Sequence, residues 1–75
     1  MVITVVGNLS MARNIIELHA RLLDARTEIL RKRPKECTID FREVSDFGVN
    51  VVEMISCFMH WFEEYHPCGR VELLL

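Results

Sequence analysis

The chain has 75 residues, of which 51% are hydrophobic and 27% charged, with only 3 Gly and 2 Pro. This composition excludes a disordered tail, a collagen-like repeat and a low-complexity linker, and the length suits one domain, residues 1–75, with a small core. Nine Lys and Arg against eleven Asp and Glu give a net charge of -2, which excludes the basic footprint expected of a nucleic-acid-binding or membrane-surface protein.

The first half of the chain predicts a strand followed by a long helix. Residues 2–6, VITVV, are mostly β-branched and predict a strand that ends at the turn-forming pair Gly7-Asn8. Ser10 is the predicted N-cap of a helix that Pro34 stops. Apolar residues spaced by three and four predict one buried stripe on this helix: Met11, Ile15, Leu18, Leu22, Ala25 and Ile29, widened by Ile16, Leu23 and Leu30.

The second half predicts a strand, a loop, a helix and a strand. Residues 37–41 alternate apolar and polar, which predicts a strand with one buried face, and residues 42–48 (REVSDFG) predict a loop. Asn50 followed by Glu53 fits a capping box and predicts a helix over residues 51–65. The predicted buried stripe of this helix is Val51, Ile55, Phe58 and Phe62. Residues 70–75, RVELLL, predict a last strand.

The order β-α-β-α-β predicts an α/β fold with a three-stranded parallel sheet. Strands covered on both faces are apolar throughout, whereas the second and third strands of this chain alternate. We therefore expect a two-layer architecture in which both helices cover one face, and right-handed crossovers then force the strands into sequential order.

The three cysteines are an odd number and argue against a disulfide framework. The first ten residues lack the basic region of a signal peptide, and no apolar run approaches the length of a membrane span. We therefore expect a cytoplasmic protein with reduced thiols. Cys37 and Cys57 lie in apolar segments and are predicted to be buried.

Two sets of polar residues are candidate sites. Cys57 and His60 followed by His66 and Cys68 have a metal-like spacing, but His66 lies half a helical revolution away from Cys57. We therefore expect no metal and no cofactor. Acidic side chains cluster after the second strand, at the edge where α/β folds bind ligands: Asp40, Glu43 and Asp46. No glycine-rich loop or nucleophile accompanies them, so we expect no enzyme.

The second helix carries more apolar residues than one buried stripe needs. Met54, Cys57 and Trp61 form a further stripe at spacings of three and four. Two interpretations stay open: a core spread over a broad arc, or a contact patch for another protein or a second copy of this chain.

Two short motifs resemble the STAS domain, the fold of anti-sigma-factor antagonists and of sulphate-transporter tails. Residues 7–10, GNLS, are similar to the family's G-E-L-[ST] turn into its first helix. Residues 38–44, TIDFREV, are similar to its strand-and-loop pattern vviDlsgV, and a helix and a final apolar strand follow as in the family. The resemblance covers residues 2–75 and implies a regulatory signalling protein that works by protein–protein contact.

The family continues with an Asp-Ser-Ser-Gly pattern at the start of the second helix. The first of its two serines is phosphorylated by a partner kinase. Alignment from Asp40 puts Val49 at the position of that serine, and Val49 has no hydroxyl, so we expect no phosphorylation there. The family docks its partners at this helix N-terminus. The resemblance therefore implies a partner-binding surface on the start and outer face of the second helix: Phe47, Val49, Asn50, Met54, Cys57 and Trp61.

Two alternatives remain beside the interaction module. The first is a self-associating structural subunit, for which we expect a homodimer through Met54 and Trp61 in preference to the last strand. The second is a small-ligand or metal-binding protein that uses the Cys and His set. In every case we expect no nucleic-acid partner and no membrane span.

Overall fold

The five elements follow the predicted order. The computed structural model describes residues 1–75, with β1 at Val2–Leu9, α1 at Ala12–Lys32, β2 at Glu36–Phe47, α2 at Val49–Tyr65 and β3 at Arg70–Leu74. The strands form one parallel sheet in the order β1-β2-β3. The predicted α/β class, the parallel pairing and the sequential strand order are confirmed. Neither α1 nor α2 is long and apolar enough to cross a membrane.

The two faces of the sheet differ in exposure. Ile3 and Val5 of β1 and Ile39 of β2 are buried, whereas Val2 and Val6, which alternate with them, are exposed. The buried strand residues join the buried residues of both helices in a single apolar cluster of 14 residues. Both helices therefore cover the same face, as the alternation predicted, and the opposite face of the sheet is open.

The predicted turn at Gly7-Asn8 is wrong, because β1 continues through both residues to Leu9. The pairing of β1 with β2 shifts register between Thr4 and Val6 and again between Gly7 and Asn8, and Gly7 adopts a φ of 94°. These irregularities allow β1 to continue through Gly7 and Asn8, residue types that usually end a strand. Glycine takes a positive φ without steric cost.

The predicted N-cap at Ser10 is also wrong. Met11 occupies the N-cap position of α1 without a side-chain capping hydrogen bond. The Ser10 hydroxyl instead donates to Asn8 Oδ1, so it is engaged in the turn that precedes the helix. At the other end Arg33 takes the left-handed conformation and donates its N–H to the Ile29 carbonyl, just before Pro34.

The predicted loop at residues 42–48 is wrong, because β2 extends through Phe47. Its second half pairs with the extension of β1, with Val44 beside Gly7 and Phe47 beside Leu9. Most of its side chains are exposed, which explains why their polar character resembled a loop. Strand β2 thereby carries the chain to the start of α2 as an ordered strand.

The predicted capping box of α2 is wrong, while the buried stripe of that helix is confirmed. Gly48 is the N-cap of α2, with no side-chain capping bond, and Asn50 lies exposed within the first turn. The Gly48 carbonyl accepts the N–H of Val51 at 3.1 Å. The buried residues of α2 are those predicted: Val51, Ile55, Phe58 and Phe62.

Helix α1 buries a narrower stripe than the sequence predicted. Its buried residues are Leu18, Leu22, Ala25 and Ile29, and Ile15 packs against them partly exposed. Met11, Ile16, Leu23 and Leu30 are exposed, so the prediction that they belong to or widen the core stripe is wrong. The last three lie roughly 110° to 150° around the helix from the middle of the buried stripe, so they do not face the core.

Candidate interaction surfaces

The predicted contact residues fall into two groups around α2. One group follows a single side of the helix at spacings of four, three and four: Asn50, Met54, Cys57 and Trp61. The remaining two, Phe47 and Val49, flank Gly48 where β2 passes into α2. The predicted surface is therefore two surfaces, which have different neighbours.

Helices α1 and α2 enclose a groove of about 280 Å³, the interhelical groove. From α2 it is lined by Met54 and Cys57, and from α1 by Leu23, with His19 and Arg26 as its polar residues. Met54 is half-buried and Cys57 is exposed. The groove therefore brings together two predicted contact residues with α1 residues that the sequence did not link to them.

Trp61 is engaged by contacts within the molecule. Its indole ring stacks on Tyr65 with the ring centroids 5.6 Å apart and an interplanar angle of 9°. The Arg26 guanidinium lies 4.6 Å from the centroid of the indole, which is a cation–π contact between the two helices. Part of the apolar excess of α2 is therefore packing between α1 and α2.

A second apolar groove of about 310 Å³ lies on the other side of α2, which we call the α2–β3 surface. Ser56 is its one polar lining residue. Phe47, Val52 and Leu75 line it with large exposed fractions of 45%, 58% and 85%. These exposed apolar residues rest on a buried floor that includes Phe41, whose ring meets Phe47 edge-on at 5.4 Å.

The predicted contact residues include Phe47 of this surface but not Val52 or Met59, and the last strand, which leads to Leu75, is predicted only as a less favoured dimer edge. Val52 and Met59 are seven residues apart and flank the buried stripe of α2 on the side away from the interhelical groove. The spacing was visible in the sequence. Only the flank that contains Trp61 was predicted as a contact surface, because a tryptophan is the commoner sign of an interface.

The three thiols have different environments. Cys37 is fully buried, and burial raises the pKa of its thiol. Cys57 and Cys68 are free and exposed, so the prediction that Cys57 is buried is wrong. Cys57 faces the mouth of the interhelical groove, where neither helix covers it.

Alkylation should separate these thiols. In dilute solution with iodoacetamide at pH 8, we expect Cys57 and Cys68 to react at similar rates, and Cys37 at least about 100-fold more slowly, because only the thiolate reacts and Cys37 must first be exposed by opening of the domain. Peptide mass spectrometry over time measures the three rates. Labelling of native Cys37 as fast as Cys68 would contradict its burial.

The other candidate sites do not assemble. No three His, Cys, Asp or Glu side chains lie close enough to share a metal ion. His60 Nε2 lies 3.1 Å from Glu64 Oε1, one turn along α2. The Arg42 side chain donates a hydrogen bond to the Asp40 carboxylate, and so does the Arg42 backbone N–H. These hydrogen bonds, the side-chain one most of all, hold the pKa of the Asp40 carboxyl below its usual value. Asp40 is therefore part of a local ion pair on the open face of the sheet.

Comparison with known proteins gives no relative: no family model, no curated protein and no solved structure matches the chain.

Proposed function

We propose that this protein is a non-enzymatic, regulatory protein–protein interaction module of the cytoplasm, similar to anti-sigma-factor antagonists, that binds its partner through the α2–β3 surface. The observation that carries the proposal is the continuous apolar groove beside α2, where Phe47, Val52 and Leu75 are exposed together. Large apolar side chains grouped in one concave patch are typical of interface centres.

The groove indicates the kind of contact that a partner makes. Its volume of about 310 Å³ suits one or two large apolar side chains, and its floor of Phe41 and Ile55 belongs to the buried core and is therefore rigid. A partner that inserts an aromatic residue would bury about 150–250 Å² of its own surface. At about 25 cal/mol per Å², such an anchor contributes several kcal/mol to binding.

The resemblance to anti-sigma-factor antagonists supports the same location, because those proteins dock partners at the start of the second helix. Val49, the first residue of α2, is 79% exposed but has no hydroxyl to phosphorylate. Binding by this chain is accordingly not switched by phosphate at this position. Regulation depends on the presence or release of the partner itself.

Quantitative capture from the native cell tests the proposal. The wild type is compared with Val52→Glu, which places a charge in the groove, and with Val6→Glu, a matched change of an exposed valine on the open face of the sheet. We expect one partner to be retained by the wild type and by Val6→Glu, and to fall at least about tenfold with Val52→Glu, since an apolar pocket excludes a carboxylate. If no captured protein depends on Val52, the proposed surface is wrong.

A further inference from the structure

Helix α1 carries a second apolar stripe that the core does not use. Ile16, Leu23 and Leu30 recur every seven residues, and their exposed fractions are 70%, 47% and 49%. Ala20 and Thr27 lie between them, so the five residues follow the four-and-three spacing of a coiled-coil seam. We call them the α1 seam. Stripes with this spacing pack against other helices in coiled coils and helix bundles.

The α1 seam borders the interhelical groove. Leu23 belongs to the seam and also lines the groove opposite Met54 and Cys57. Successive residues of a helix are about 100° apart around its axis. The seam therefore lies on the side of α1 away from the buried stripe, and its Leu23 edge faces α2. The small side chains of Ala20 and Thr27 let a further helix approach α1 closely. That helix would lie in the groove and rest on both α1 and α2.

Charge indicates which helix fits. Glu53 and Glu64 are eleven residues apart and therefore lie on one side of α2, at the exposed rim of the interhelical groove, so a helix placed against that rim should present basic side chains. Helix α1 has five basic residues against three acidic ones. It also presents the heptad seam that the seam of another α1 would match. The helix of this chain that complements the groove is therefore α1 itself.

We propose that the interhelical groove holds α1 of a second copy of this chain, in a two-fold dimer whose axis runs parallel to the helices. Each α1 then lies in the groove of the other copy, and the two seams pack in parallel with Leu23 opposite Leu23. The same surface serves both copies, so the interface is closed and forms no filament. This dimer uses a surface separate from the α2–β3 surface and does not depend on the proposed function.

One ion pair between the copies follows from this arrangement. Leu23 and Cys57 line the same groove, and about one turn further along the Arg26 guanidinium of α1 lies over the Trp61 ring of α2. The last turns of α1 and α2 are therefore level too, which brings Arg31 of one copy to Glu64 of the other. Arg31 pairs with Glu28 on α1, and Glu64 pairs with His60 on α2, and both pairs are exposed to solvent. Exposed pairs contribute little to stability, so exchanging their partners costs little.

Sedimentation equilibrium tests the interface. We expect the wild type to dimerise at tens of micromolar, and Leu23→Glu to raise the dissociation constant at least about thirtyfold, because it sets two carboxylates against each other at the axis. Val6→Glu and Val52→Glu should leave the constant unchanged, and circular dichroism should show that all variants fold. A wild type that is monomeric at about 200 µM overturns the proposal. A dimer that only Val52→Glu dissociates, or that tolerates Leu23→Glu, also overturns it.

Charge reversal tests the parallel orientation. Arg31→Glu and Glu64→Arg should each weaken the dimer about threefold to tenfold, and the double variant should recover most of the loss. An antiparallel arrangement of the two α1 helices puts these residues at opposite ends of the interface. Absence of recovery in the double variant therefore overturns the parallel dimer.

The exposed thiols give an independent measurement on the unmodified protein. Cys57 lines the groove, so its alkylation rate should fall at least about fivefold as the concentration rises through the dissociation constant. Cys68 lies in the turn before β3 and serves as the internal control, with a constant rate. Equal concentration dependence of the two thiols overturns burial of the groove.

Discussion

Phe62→Ala is expected to leave the domain largely unfolded at room temperature. Phe62 is fully buried among the residues of α2 that face the sheet, and it is one of the largest side chains in the core. Its truncation costs about 3–5 kcal/mol of the free energy of unfolding. A domain of this size rarely has more than about 3–5 kcal/mol in total. Urea titration followed by circular dichroism and by fluorescence of Trp61, the one tryptophan, measures the loss.

Phe47→Ala is the matched control, because it removes the same atoms from a side chain that is 45% exposed. Its edge-on contact with Phe41 is lost, so we expect a cost of about 1 kcal/mol in the free energy of unfolding. The fold should persist while capture of the partner weakens. Equal destabilisation by the two substitutions would mean that Phe47 is a core residue, and the α2–β3 surface would lose its main anchor.

The sequence predicted what depends on local periodicity. The buried stripe of α2 repeats at three and four residues, and the alternation of β2 and β3 identified the face that the helices cover. These patterns report burial directly, because each position on a regular element has a fixed direction. From them the layer arrangement and the strand order followed.

The ends of the elements could not be read in the same way. Strand β2 continues past Phe41 because the bulged end of β1 supplies its pairing partner, with Val6 beside Glu43 and Asn8 beside Asp46. That pairing joins residues more than thirty positions apart, and no local pattern shows it. The capping box at Asn50 failed for a related reason: α2 begins where β2 releases the chain, at Gly48.

Apolar residues outside the core stripes were the hardest to interpret. Ile16, Leu23 and Leu30 seemed to widen the core, and their spacing of seven does not separate them from it, because Leu18 and Ala25 of the core stripe are also seven residues apart. On α2, the two flanks of the buried stripe are both apolar, and sequence alone does not tell which of them the other helix covers. The contact of Trp61 in α2 with Arg26 in α1 decides this in the structure.

Gly69→Ala is expected to lower the free energy of unfolding by about 1–3 kcal/mol. A Cβ at this position would lie 2.7 Å from Cε1 of Phe62 and 3.1 Å from the carbonyl oxygen of His66. Neither neighbour can move freely, since Phe62 is fully buried and the His66 carbonyl accepts the N–H of Gly69 at 2.7 Å. The shift of the urea midpoint at unchanged slope measures the cost.

A double-mutant cycle identifies the cause of this cost. Phe62→Leu removes the ring atom that the new Cβ would meet, so Gly69→Ala in that background should cost about 1 kcal/mol less than in the wild type. Strict additivity would show that the strain is in the backbone of the turn and not against the ring. The result bears on function, because this tight turn places β3 beside α2. Leu73 and Leu75 line the α2–β3 surface together with Met59 of α2, so a displacement of the turn by the new Cβ should weaken partner capture together with stability.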